Sequence, residues 1–173
     1  ILPKDIAQRL KSGETDIADK HDNISIIFCD LVNFTPQAQK LNPNKLVKIL
    51  NTIFKTFDDL SKEFGIEKIK TIGDCYFAVG GLNSHKKQSA INIIKLGIQF
   101  IKSINLIDQN TPEMKLKIRI GVHTGQIVAG VIGKNKFAYD LWGSSVNMAN
   151  RLEATCPPGR IQISEHTKII LGD

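Results

Sequence analysis

Strand-like and helix-like patterns alternate along this chain of 173 residues in the order βαββαβ, and that order constrains the fold more than any single residue. Residues 24–29 are apolar and β-branched and read as a buried strand. Thr35 followed by Pro36 reads as an N-cap with proline at the first helical position. A long helix is predicted from Pro43 to Phe64, because Leu46, Ile49, Leu50, Ile53, Phe57 and Leu60 recur at helical spacing. Gly65 ends it. Residues 66–72 and 75–80 read as two strands around Gly73-Asp74. Ser84 suits the cap of a second helix, His85 to Ile104, with Ile91, Ile94, Ile98 and Ile101 inward. Strands are expected over 115–123 and 126–132, around Thr124-Gly125, and over Phe137 to Leu141.

Ser144 then caps a helix to Ala154, Arg160 to Ser164 is a last strand, and a helix starts at Glu165. Residues 1–22 are a polar, irregular lead-in, apart from a short helical stretch near Ile6 to Leu10. The order of elements predicts a ferredoxin-like α+β core with additional C-terminal elements, in one domain over residues 23–173.

Composition narrows the function classes. Hydrophobic residues make up 42% and charged residues 23%, enough for a packed core and unlike a disordered chain. The net charge is +6, but the lysines are spread along helical segments without a dense run, so no nucleic-acid surface is expected. No apolar run reads as a membrane span, and any membrane contact is expected through parts of a parent protein outside this chain. Three cysteines without a C-x-x-C pair fit a reducing, cytoplasmic compartment. The four histidines are dispersed and lack metal-ligand spacing. Gly130-Val131-Ile132-Gly133-Lys134 is too short for a Walker loop, and no G-x-G-x-x-G occurs.

The chemistry concentrates in three segments. Asp30 ends the strand Ser25-Ile26-Ile27-Phe28-Cys29, and Asp74 stands at the turn after Ile72-Gly73. Carboxylates at strand ends facing one crevice suit hard divalent cations, which take oxygen ligands and keep several waters. Lys70 precedes Asp74 by four residues. The third segment runs Tyr139-Asp140-Leu141-Trp142-Gly143-Ser144-Ser145-Val146-Asn147-Met148-Ala149-Asn150-Arg151. Asn147 and Arg151 are four apart in a predicted helix and share a face.

These three segments, in this order and spacing, resemble the catalytic domain of class III nucleotide cyclases, over about Ile24 to Glu165. The resemblance implies that Asp30, Asp74 and the backbone carbonyl of Leu31 hold two Mg2+ ions, with Mn2+ as a substitute. It implies that Asn33, Phe34 and Thr35 cradle phosphate at the start of a helix, where backbone N–H groups are free. Asn33 stands where the family carries glycine, and asparagine tolerates the left-handed turn. Lys70 and Asp140 match the purine-selecting pair of adenylyl members. A lysine donates to adenine N1 and a carboxylate accepts from the N6 amine, whereas guanine presents the opposite pattern. Asn147 and Arg151 match the residues that orient the ribose and neutralise the α-phosphate.

The resemblance therefore implies an adenylyl cyclase making 3′,5′-cyclic AMP and pyrophosphate from ATP. In the family the two residue sets meet across a head-to-tail dimer, and this chain carries both, which implies a homodimer. The alternatives are a guanylyl cyclase or a silent nucleotide-binding module. The family's triphosphate-binding lysine lies in a strand beyond Asp173, so the domain is expected to be truncated at its C-terminus.

Overall fold

The computed structural model describes residues 2–82, 85–134 and 136–172. The elements run α1 (Lys4–Lys11), β1 (Ala18–Leu31), α2 (Phe34–Ala38), α3 (Pro43–Glu63), β2 (Glu67–Ile72), β3 (Cys75–Gly80), α4 (Lys86–Gln109), β4 (Ile118–Ile132), β5 (Ala138–Trp142), α5 (Ser144–Thr155), β6 (Ile161–Ile163) and α6 (Glu165–Leu171). The sheet order is β2-β3-β1-β4-β5, antiparallel throughout this path, and β6 adds in parallel beside β4. Strand β1 sits between β3 and β4, as a ferredoxin-like βαββαβ core requires.

Period-2 alternation along β1 sends successive residues to opposite faces. Ile27, Cys29 and Leu31 join a core with α3 and α4, where the rings of Phe57 and Phe100 stack at 3.9 Å. Tyr76 meets both edge-on, and its hydroxyl donates to Asp58 at 2.8 Å. Ile24, Ile26 and Phe28 point to the other face, where Phe28 stacks on Phe77 at 4.5 Å beneath Leu141 and Ala149. Truncating Phe100 to alanine would cost about 3–5 kcal/mol, since a fully buried aromatic leaves a cavity.

Helix α5 lies directly on β4 because Gly121 has no side chain. A Cβ there would stand 2.1 Å from the Glu153 amide nitrogen and 2.4 Å from the Ala149 carbonyl oxygen. Helix α3 begins as its sequence predicts: Asn42 accepts from the Asn44 amide at 2.9 Å, and Pro43 follows it.

Several boundaries differ from expectation. Strand β1 starts at Ala18, inside the lead-in expected to be irregular. Its first half is largely solvent-facing and pairs only with β4, so no apolar signature marks it. Strand β4 continues through Thr124-Gly125 instead of breaking there, because Thr124 pairs with Ser25 and Gly125 with Ile24. The Ser25 and Thr124 hydroxyls bond at 3.0 Å in the core. Helix α2 starts at Phe34, one residue before the expected cap, and Asn33 precedes it.

Helix α5 is preceded by Gly143, so Ser144 is its first residue and not its cap. Ser84 lies outside the described residues, and His85 is the residue before α4. Helix α4 buries Ala90, Ile93, Leu96, Gly97, Phe100 and Ile104, while Ile98 is exposed. The inward stripe is one residue, roughly 100°, from the predicted isoleucines, because small residues let the helix approach the sheet. A Cβ on Gly97 would stand 3.0 Å from Ile161 Cδ1. Helix α4 is also long and apolar enough, by length and composition, to cross a membrane, which the sequence pattern did not suggest; that buried face packs in the protein core.

Candidate active site

The antiparallel register assembles one end of the site. Asp30, the penultimate residue of β1, stands opposite Cys75 on β3 and opposite Arg119 on β4. Arg119 donates from Nη2 to Asp30 Oδ2 at 3.0 Å. The same guanidinium donates from Nε to Glu153 Oε1 on α5 at 2.6 Å. Asp74 sits in the β2–β3 turn directly before Cys75, after Gly73 with φ of +61°. That left-handed value favours glycine and aims the next residue off the strand end.

Partial burial raises the Asp74 pKa from its ordinary value, and the nearby Asp30 charge adds to the rise. Burial likewise raises Glu153, with Asp30 adding to it and Arg119 opposing. The Cys75 thiol is pushed up to about 12 by burial and by Asp30 and Glu153, which makes it a poor nucleophile. Two carboxylates that crowd each other electrostatically at a strand end are a fit donor set for hard divalent cations. Among the described residues no group of three His, Cys, Asp or Glu side chains could hold a metal, so further ligands would come from carbonyls, water or substrate phosphates.

Asn33 has φ of 53° and ψ of 32°, the left-handed turn expected of it. Its carbonyl accepts from Gln37 Nε2 at 3.1 Å, which braces the turn. Phe34 is buried and anchors the start of α2. Phe34 and Thr35 share a cleft of about 410 Å³ with Gly73 and Asp74, so the turn and one carboxylate open onto the same space. Another cleft, of about 460 Å³ between α3 and α4 near Lys45 and Leu106, holds none of the predicted residues.

Lys70 on β2 and Asp140 on β5 form an ion pair, although these strands lie at opposite ends of the sheet path. The sheet therefore curls until its two edges meet. Asp140 Oδ1 also accepts from the Leu141 amide at 2.9 Å, which fixes the carboxylate. Asn147 and Arg151 lie on the solvent side of α5, opposite buried Ser145, Ala149 and Glu153. Neither side chain is bonded to another among the described residues.

The structure thus groups the predicted residues in pairs: Asp30 with Asp74, Phe34 with Thr35, Lys70 with Asp140, and Asn147 beside Arg151. Sequence reasoning missed Arg119 and Glu153. A signal for Glu153 existed: it falls four residues after Ala149 on the inward stripe, where an acid needs a buried partner.

Residues 17–173 match the family described as the adenylate and guanylate cyclase catalytic domain. The chain is 40% identical over 172 residues to a membrane guanylyl cyclase of Dictyostelium discoideum, covering 99% of this chain and 12% of that protein. It is 38% identical over 167 residues to an adenylate cyclase of Mycobacterium tuberculosis, covering 95% of this chain and 37% of that one. Among solved structures, the adenylyl cyclase CyaB from P. aeruginosa superposes with a TM-score of 0.84 at 27% identity, covering 89% of this chain and 82% of that chain. The chain thus spans well under half the length of these two sequence relatives.

Proposed function

This chain belongs to the class III nucleotide cyclase catalytic-domain family, and from that premise we propose that it is an adenylyl cyclase working as a head-to-tail homodimer. The ion pair of Lys70 with Asp140 is the observation that carries the choice of purine. These side chains are brought together from opposite sheet edges and present a donor and an acceptor side by side. Adenine offers N1 and the N6 amine to such a pair, and guanine would leave both poorly matched.

Asp30, Asp74 and the Leu31 carbonyl would hold two Mg2+ ions, with Mn2+ able to replace them. Bound there, such ions lower the pKa of a hydroxyl and neutralise a leaving pyrophosphate. The turn at Asn33, Phe34 and Thr35 receives phosphate on the N–H groups that open α2. Asn147 orients the ribose, and Arg151 meets the charge that develops on the α-phosphate. The ribose 3′-oxygen forms a bond to the α-phosphorus as the bond to the β-phosphate oxygen breaks. Pyrophosphate leaves, and Asp30 or a water takes the hydroxyl proton.

The dimer reading rests on α5. The side chains of Asn147 and Arg151 face solvent with no side-chain partner among the described residues, so a twin's carboxylates and turn would complete the site. Two equal sites then lie about a two-fold axis. We place the domain on the cytoplasmic side of any membrane to which a parent protein is anchored.

The 40% identity to a guanylyl cyclase favours a second reading, with GTP as substrate. Incubation with ATP and with GTP, in Mg2+ and in Mn2+ and across protein concentration, separates the two. Cyclic AMP as the main product supports the proposal; cyclic GMP alone, or no cyclic product from either nucleotide, refutes it.

A further inference from the structure

Arg119 serves two acids at once. Its Nε reaches Glu153 at 2.6 Å and its Nη2 reaches Asp30 at 3.0 Å, while Nη1 lies 3.4 Å from the Ala154 carbonyl. Glu153 is only 5% exposed, pinned between α5 and the sheet where Gly121 lets the helix backbone touch β4. A buried carboxylate needs a counter-charge, and Arg119 is the cation bonded to it. Asp30, by contrast, has a competing claim on it if it takes a divalent cation. Arg119 must then release Asp30 without itself losing a partner.

We infer that Glu153 is a positioning residue for Asp30: it retains Arg119 when Asp30 takes a cation, so the exchange leaves neither Arg119 nor the buried Glu153 unpaired. The inference rests on the proposed metal role of Asp30. With glutamine at position 153 the shape and the hydrogen-bond acceptor survive, but the charge is gone. Arg119 then turns wholly to Asp30 and competes with the incoming ion. Arg119 also ties the metal end of the site to α5, the helix that carries Asn147 and Arg151 on its outer side.

The test is Mn2+ binding to the nucleotide-free protein, followed by the EPR signal of the free ion, in a double-mutant cycle. Glu153→Gln is expected to weaken Mn2+ binding about tenfold. Arg119→Gln, which removes the competitor, is expected to leave it equal or tighter. In the Arg119→Gln background, Glu153→Gln should change the affinity by less than about twofold, because its effect runs through the arginine. Equal losses in both backgrounds would make Glu153 a mere nearby charge and overturn the inference, as would Mn2+ affinity unchanged by Glu153→Gln alone.

Asp30→Asn and Asp74→Asn are the controls. If neither lowers Mn2+ binding, the metal reading itself fails; if both do and Glu153→Gln does not, only the present inference fails. Should Glu153→Gln not fold, Glu153→Asp carries the test. It keeps the charge but shortens the reach, and an expected loss of about two- to fourfold separates it from an overturning result of no change.

Discussion

The two halves of the candidate site are built on opposite principles. The carboxylate half is finished inside the protomer: Asp30 is bonded to Arg119, Arg119 to Glu153, and Asp74 stands half-buried in the adjacent turn. The helical half is open: the side chains of Asn147 and Arg151 project from α5 into solvent and bond to no other side chain among the described residues. A half-site that is paired and partly desolvated is preorganised for a charged ligand. A half-site of exposed, unpaired polar groups spends nothing on the free protomer and waits for a partner surface. The contrast accords with the proposed function, in which the acids would find their complement in cations and α5 in a second copy of the chain.

Removing the acids should break the first half most severely. Asp30→Ala or Asp74→Ala is expected to lower kcat by about a thousandfold or more while the fold survives, measured as cyclic nucleotide formed by a variant with parental circular dichroism. Substantial turnover in either variant would end the metal reading. Arg151→Ala tests the second half, with a drop in kcat of about a hundred- to a thousandfold and little change in KM. A change confined to KM would mean that Arg151 only binds substrate. Mixing Asp30→Ala with Arg151→Ala protomers sharpens the contrast, since one of the two shared sites becomes whole. Recovered activity is expected, up to about a quarter of the parental value if chains pair at random. Activity no higher than that of the separate variants would deny the shared site.

The next effect is one of preference. Lys70→Glu together with Asp140→Cys exchanges the donor and acceptor offered to the purine. The ratio of kcat/KM for ATP over GTP should fall by about one to two orders of magnitude. An unchanged ratio would show that the pair at the meeting sheet edges does not read the base.

The fold was legible where pattern and burial coincide. Helix α3 and strands β2 and β3 lie within a residue of expectation, because apolar periodicity and the breaks at Gly65 and Gly73 agree. It was illegible where pairing needs no apolar signature. The solvated first half of β1 and the unbroken passage of β4 through Thr124-Gly125 are fixed by partner strands far along the chain. The α4 stripe differs from expectation because small Ser89, Ala90 and Gly97 share the buried face with Ile93, Leu96, Phe100 and Ile104, while Ile94 and Ile101 pack only partly against it. At the site, the motifs pointed to the residues that would touch substrate and missed the support behind them. Arg119 is an alternating strand position that resembles any solvated arginine until register sets it opposite Asp30. Lys70 and Asp140 were named from separate motifs, and only the curl of the sheet pairs them.

The smallest effect is on stability, and it isolates the acid half alone. Burial first, and Asp30 second, raise the Asp74 pKa above its unfolded value. Between the two values the folded chain holds a proton that the unfolded chain has lost. The contribution is therefore fully present below the unfolded pKa and is lost as pH rises through the folded one. For the metal-free protein, Asp74→Asn should remove this loss and raise Tm near neutral pH by about 1–2 °C, with no gain in acid. Divalent cation should raise the parental Tm near neutral pH by relieving the same repulsion, and should act more weakly on the variant. Asp74 is only partly buried, which keeps the expected shift small. Equal cation responses in parent and variant would separate Asp74 from the metal and leave Asp30 to hold the ion without it.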